Sequence, residues 1–306
     1  MDAITRSRIR GCAVGAAVGD ALGMPLEFGP KRPEGRLVRD MTPGRLPAGT
    51  FTDDTEMGLA LAESLLAHRS LDAADLAGRL VAWYRAGPDD VGNHTRAVLS
   101  RVARGQAWKL AAQEVQQGHP DSAGNGSVMR CWPVALAHWD DLAQLQRDSA
   151  LQSRVTHPHA ECVAGSAFVN AALYWMLRGV LPAEAIARAA RDVEMPDALR
   201  SAIENAHAVA REDLANSGWV RHTVESATWG LLTTDSFAEA VIQVVNLGND
   251  ADTAGAVVGA WAGAAYGLHA IPEAWREAVR GEWPLGSGQV WTAAELGDLA
   301  ERLAGA

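Results

Sequence analysis

Cysteine is scarce. Only Cys12, Cys131 and Cys162 occur in 306 residues, without the spacing of a disulfide framework, which excludes a cystine-stapled scaffold and suits a reducing compartment, the cytoplasm by default. No run alternates polar and apolar residues as a half-buried strand would. An export signal is missing as well: residues 1–10 mix charged and apolar side chains, and residues 11–19 carry no convincing cleavage site. The most apolar stretch, 254–268, is short, rich in glycine and preceded by two aspartates, so it reads as a buried core helix, and no membrane span is expected. Basic charge is also in deficit. A net charge of −10 argues against general binding to nucleic acid or to an anionic membrane.

Apolar spacing at the helical period is what the chain does have. It marks segments near 5–24, 53–68, 72–86, 94–104, 107–116, 127–137, 140–152, 159–178, 182–192, 196–211, 222–232, 236–247, 252–268, 272–280 and 293–304. Asp72 precedes one of these runs as a cap, Ser236 with Glu239 spells a capping box, and Pro182 and Pro196 stand at tolerated first-turn positions. The expected fold is all-α, a multi-helix orthogonal bundle in which residues 1–306 form one domain, with 48% hydrophobic content sufficient for its core.

Glycine recurs at 11, 15, 19 and 23 in the first segment and at 255, 259, 263 and 267 in a late one. An interior helical glycine costs about 1 kcal/mol relative to alanine, so these stripes predict a close-packed central pair. The longest non-periodic stretch, 29–50, carries Lys31, Arg32, Arg36, Arg39 and Arg45. Its length suggests a lid, although its arginines would equally suit a solvated face.

Two acidic clusters, Thr52-Asp53-Asp54-Thr55 and Asp250-Ala251-Asp252-Thr253, each open a small-residue helix. Capping explains one acid per helix start, and Asp53 with Glu56 reads as a capping box, but two adjacent carboxylates repel each other. A cation relieves that repulsion, and paired carboxylates with hydroxyls are hard oxygen ligands for Mg²⁺ or Mn²⁺, which suggests a two-metal hydrolytic site in a central cleft. Polar turns recur between the helices: residues 19–23 with Glu27 nearby, 90–93, 124–127 and 156–159. Gly124 to Ser127 is expected to lead straight into a helix at 127, where backbone N–H groups can bind phosphate, although on its own it reads as an ordinary Asn-Gly turn. His157, His159 and Cys162 lack the partners of a tetrahedral zinc site. Most of the eleven tryptophans suit core packing.

In order, GCAVGAAVGDALGMPLEF from residue 11, GTFTDDTEM at 49–57, DVGNHTR at 90–96, GNGSVMR at 124–130, THPH at 156–159 and VNLGNDADTAGAVVGAWAGAAYG at 245–267 span nearly the whole chain. Together they resemble the ADP-ribosylglycohydrolase family. The resemblance implies helices bundled around two Mg²⁺ (or Mn²⁺) ions and hydrolysis of the glycosidic bond joining ADP-ribose to an acceptor. Carried over by motif, Thr52, Asp53, Asp54, Asp250, Asp252 and Thr253 are implied metal ligands. Glu27 and Asp90 are implied catalytic groups, and Gly92, Ser122, Gly124, Asn125, Gly126 and His157 are implied to bind substrate. The partner would be ADP-ribose or an ADP-ribosylated protein, with an arginine linkage first and serine-linked or O-acetyl ADP-ribose as alternatives. Two positions depart from the family: Asn249 stands where many members have glycine, and Ala123 where some carry an aromatic.

Two rival readings fit the residues less well. An isoprenoid-synthase-like enzyme also pairs acidic clusters, but Asp53-Asp54-Thr55-Glu56-Met57 lacks the final aspartate of that pattern, and four phenylalanines are few for a prenyl cavity. A non-catalytic ADP-ribose-binding protein is disfavoured by the intact aspartates and Glu27.

Overall fold

The computed structural model describes residues 1–68 and 70–305. Among them run fifteen α-helices: α1 (Ala3–Gly23), α2 (Asp53–Ala67), α3 (Ala73–Ala86), α4 (Asn93–Ala103), α5 (Trp108–Gly118), α6 (Trp132–Ala137), α7 (Leu142–Arg154), α8 (Ala160–Leu177), α9 (Pro182–Asp192), α10 (Asp197–Asn205), α11 (Val220–Leu232), α12 (Phe237–Val245), α13 (Ala251–Tyr266), α14 (Glu273–Ala278) and α15 (Ala293–Leu303). A short antiparallel hairpin, β1 (Arg280–Glu282) with β2 (Val290–Thr292), pairs Gly281 with Trp291. The fold is all-α, as the periodicity predicts, and the hairpin strands are too short to show an alternation.

The glycine stripes explain the centre of the bundle. A β-carbon placed on Gly11, Gly15 or Gly19 would strike the carbonyl oxygen of Gly263, Gly259 or Gly255, and the reverse substitutions strike equally. Helices α1 and α13 therefore lie antiparallel, backbone on backbone, and bury most of their length. At one end of the pair Gly23 abuts the backbone of Asp252, so the last turn of α1 and the first turn of α13 share one end of the molecule. The main core then runs from Ile9 to Leu303 around this pair. Among the described residues α8 is the helix long and apolar enough to cross a membrane, but 83% of it is buried inside the protein, which makes it a core helix.

Several local expectations are corrected. The segment expected as a helix from 127 is turn as far as Arg130, and α6 begins only at Trp132. Asn125 O accepts from the N–H of both Val128 and Met129, at 2.9 and 3.3 Å, and this holds the turn. Helix α10 stops at Asn205 rather than reaching 211. The N-cap of α2 is Thr52, not Asp53, and Glu56 closes no capping box because its carboxylate accepts from Trp83 Nε1 at 2.7 Å. Ser236 does cap α12, whereas Glu239 pairs with Arg39 instead of closing its box.

Candidate active site

Asp20, on the last turns of α1, is fully buried between the two ends just described. It accepts from Thr52 N and Oγ1 (2.9 and 2.7 Å) and from Thr55 N and Oγ1 (3.2 and 2.6 Å). One carboxylate thus caps α2 from another helix and fixes the first acidic cluster against α1. The second cluster is held by Asn216, whose Nδ2 donates to Gly248 O at 2.7 Å and to Asp250 O at 3.2 Å, while its own carbonyl accepts from Asp250 N at 3.0 Å. Asn125 Nδ2 donates to Asp250 Oδ2 at 2.9 Å and to Thr223 Oγ1 at 2.8 Å.

Two left-handed residues close the cleft edge. Phe28 has φ +60° and Asn249 φ +51°. Phe28 N donates to Asn249 O at 2.7 Å, and Asn249 N to Gly29 O at 2.8 Å, so the segment after Glu27 is tied to the turn before Asp250. Asparagine tolerates this conformation better than other non-glycine residues, which suits it to this turn. Phenylalanine does not, and its strain marks a constrained edge of the site.

Residues from both clusters line a cavity of about 750 Å³, together with Glu27, Asp90, Gly92, Gly124, Asn125, Gly126 and His157. Asp53, Asp54, Asp250, Asp252 and Thr253 all reach its wall. Thr52 does not, being turned to Asp20, and neither does Ser122, whose backbone serves the turn after α5 by donating to His119 O and accepting from Gln116 Nε2. Sequence reasoning gave no site role to Asp20, Asn216, Arg45 or His94. His94 stacks on His157 with ring centres 4.6 Å apart and donates from Nε2 to Thr156 O at 3.0 Å. Trp219, 38% exposed, is bridged through its backbone to Gly124.

Electrostatically the cleft is frustrated. Burial pushes the carboxyls of Asp53, Asp54 and Asp252 well above the usual range, and neighbouring carboxylates raise them further. Glu27 and Asp250 are raised by burial too, against opposing hydrogen bonds. Asp54 Oδ1 is buried with no hydrogen-bond partner. Among the described residues no three His, Cys, Asp or Glu side chains converge so as to hold a metal ion. Instead the Arg45 guanidinium lies among the carboxylates, paired with Glu27 and standing 3.4 Å from Asp90 and 3.9 Å from Asp252. An orphaned carboxylate oxygen, clustered hard oxygens and a side-chain cation drawn among them fit a divalent-metal site.

Residues 29–50 do not hang free as a lid would. Val38 exchanges two hydrogen bonds with the Asn246 side chain, both 2.8 Å, and Asp40 accepts from Trp275 Nε1 at 3.1 Å. Of the arginines in this stretch, Arg45 turns into the cleft.

Fold and cleft together define a helical glycosidase class: the chain belongs to the ADP-ribosylglycohydrolase family, whose sequence model matches residues 1–306. Within that family it is an ADP-ribosylhydrolase, and metal dependence is general among its members. It is 36% identical over 285 residues to the ADP-ribosylarginine hydrolase Tri1 of Pseudomonas putida (strain GB-1), covering 89% of this chain and 74% of that protein. It is 35% identical over 283 residues to the ADP-ribosyl-[dinitrogen reductase] glycohydrolase of Rhodospirillum rubrum, covering 88% of each. Among solved structures, one described as an ADP-ribosylglycohydrolase-related protein complex superposes with a TM-score of 0.80 at 36% identity over 98% of both chains.

Proposed function

We propose that residues 1–306 act as one catalytic domain that hydrolyses the N-glycosidic bond between ADP-ribose and an arginine side chain of a protein, with two Mg²⁺ (or Mn²⁺) ions bound. The observation that carries the arginine assignment is the Arg45 guanidinium lying among Glu27, Asp90 and Asp252. Carboxylates that accept one guanidinium at this depth suit the guanidinium of a modified arginine. The names of the two relatives above support the same acceptor.

In this scheme Asp53, Asp54, Asp250, Asp252 and Thr253 would hold the cations, while Thr52, whose hydroxyl donates to Asp20, anchors the start of the first cluster rather than serving as a ligand. Bound there, the metals supply Lewis-acid orientation of ribose hydroxyls and a more acidic water. The protein's own groups do the rest. Carboxylates beside the anomeric carbon stabilise its oxocarbenium-like charge as the C–N bond lengthens. The bonding pair leaves with the guanidine nitrogen. Glu27, whose carboxyl pKa is raised by burial, takes the proton of the attacking water as oxygen bonds to the anomeric carbon. The same proton then passes from Glu27 to the departing guanidine, with Asp90 beside Arg45 helping to hold that side of the cleft. Gly92, Gly124, Gly126 and His157 line the space for the diphosphate and ribose. Three free, buried cysteines accord with a reducing compartment such as the cytoplasm.

The test is release of ADP-ribose from arginine-linked and serine-linked ADP-ribosyl peptides, with and without Mg²⁺. Metal-dependent release from the arginine peptide alone is expected. Release from the serine peptide alone would replace the acceptor assignment.

A further inference from the structure

Arg130 is fully buried and meets no carboxylate among the described residues. Its Nε donates to Gln152 Oε1 at 3.1 Å, Nη1 to Gly126 O at 2.9 Å, and Nη2 to Gln152 O at 3.1 Å and to Thr156 Oγ1 at 2.8 Å. A guanidinium taken out of water without a counter-ion is costly and calls for a reason. Burial pulls its pKa down to about 9, still above neutrality, so it remains charged and can only donate.

The constraint passes to Thr156. Its hydroxyl is buried and has accepted from Arg130, and the one other partner of that oxygen among the described residues is His157 Nδ1 at 2.8 Å. Were Nδ1 protonated, the threonine proton would be stranded without an acceptor in the interior. Nδ1 therefore carries the lone pair and the ring proton sits on Nε2. Burial, with His94 and Arg130 adjacent, holds His157 well below the usual imidazole value, so the ring is neutral and the tautomer alone decides what it offers. Its Nε2 edge stands over the glycine turn of the cavity: a β-carbon on Gly124 would lie 3.4 Å from Nε2, and one on Gly126 3.2 Å.

We propose that Arg130 and Thr156 are positioning residues that lock His157 in the Nε2–H tautomer, making it a fixed, uncharged hydrogen-bond donor to a phosphate or ribose oxygen of ADP-ribose. The donor's target rests on the ADP-ribose reading above; the tautomer does not. The same guanidinium grips the Gly126 carbonyl, so one buried cation sets both the turn and the ring that faces it.

Thr156 variants make the test, because truncating Arg130 would leave a cavity and four unsatisfied acceptors. In two-bond ¹H–¹⁵N spectra of histidine-labelled protein, His157 is expected to be protonated at Nε2 in the wild type and in Thr156→Ser. Thr156→Val is expected to populate the Nδ1–H form and to weaken ADP-ribose binding, measured calorimetrically in the same Mg²⁺ buffer, by roughly three- to tenfold, while Thr156→Ser stays within about twofold. A wild-type ring protonated at Nδ1, or a tautomer unmoved in Thr156→Val, overturns the relay. A changed tautomer with unchanged affinity overturns the donor role. Wild-type protein that binds no ADP-ribose would sink the proposed function instead, and the spectra would still decide the tautomer.

Discussion

Asp54 holds a buried carboxylate oxygen with nothing to bond and other carboxylates for neighbours. In metal-free protein that arrangement is destabilising, so Asp54→Asn should raise the stability of the metal-free form by about 1 kcal/mol or more. It should also abolish the rise in melting temperature that Mg²⁺ gives the wild type. Thermal unfolding in chelator and in Mg²⁺ checks both halves; a variant that still responds to Mg²⁺ would remove Asp54 from the ligand set. Glu27 belongs to the chemistry rather than to binding. Glu27→Gln is expected to lower kcat roughly a hundredfold while ADP-ribose affinity stays within about threefold, and equal losses in both would make Glu27 a binding residue. Asp54 stands out in the sequence because it belongs to a doubled acid at a helix start, whereas Glu27, a single acid, is pointed to only by the family resemblance. Asp20, Asn216 and Arg45 were not legible there, since each acts on residues far from it along the chain: Asp20 on Thr52 and Thr55, Asn216 on Asp250, Arg45 on Asp252. Ser122 was misread for the complementary reason, as its nearness to the glycine turn in sequence does not bring it to the cavity.

Among the elements, α1 and α13 owe their geometry to the absence of side chains. Gly259→Ala would drive a methyl into the Gly15 carbonyl, and the two backbones have no flexible atom to yield. A loss of about 3 kcal/mol is expected in urea unfolding, at the upper end for overpacking. Gly78→Ala on α3, with open space around it, should instead stabilise by about 0.5–1 kcal/mol. Equal effects at both positions would mean that helix propensity, not close approach, governs the stripe. Helix positions were readable because apolar period and caps agree along most of the chain, as in α9 from its opening proline. The failure at 127–131 is instructive: Ser127, Val128 and Met129 have helical spacing, but Asn125 and Arg130 spend their hydrogen bonds on a turn.

At the scale of the whole molecule, the cleft carboxylates oppose the ordinary acid response. Glu27, Asp53, Asp54, Asp250 and Asp252 all have carboxyl pKa values raised by folding, burial first. The folded state then holds more protons than the unfolded state between the unfolded value, about 4, and the raised folded values. Stability from these groups is complete below that window and is lost as pH rises through it. Metal-free protein should accordingly melt at a higher temperature near about pH 5 than near about pH 8, and saturating Mg²⁺ should erase or reverse the difference, because the cation competes with those protons. A chelated protein that melts lower at pH 5 would show that the cleft does not dominate the titration. The antiparallel glycine pair has a consequence in time as well as in space. Asp53 leaves the ribosome almost two hundred residues before Asp252, its counterpart across the cleft, and α1 must wait for α13 before its smooth face has anything to meet. During synthesis the N-terminal carboxylates have no assembled cleft, so a nascent chain stopped before residue 250 should emerge unable to capture a divalent ion, whatever helices it has already formed.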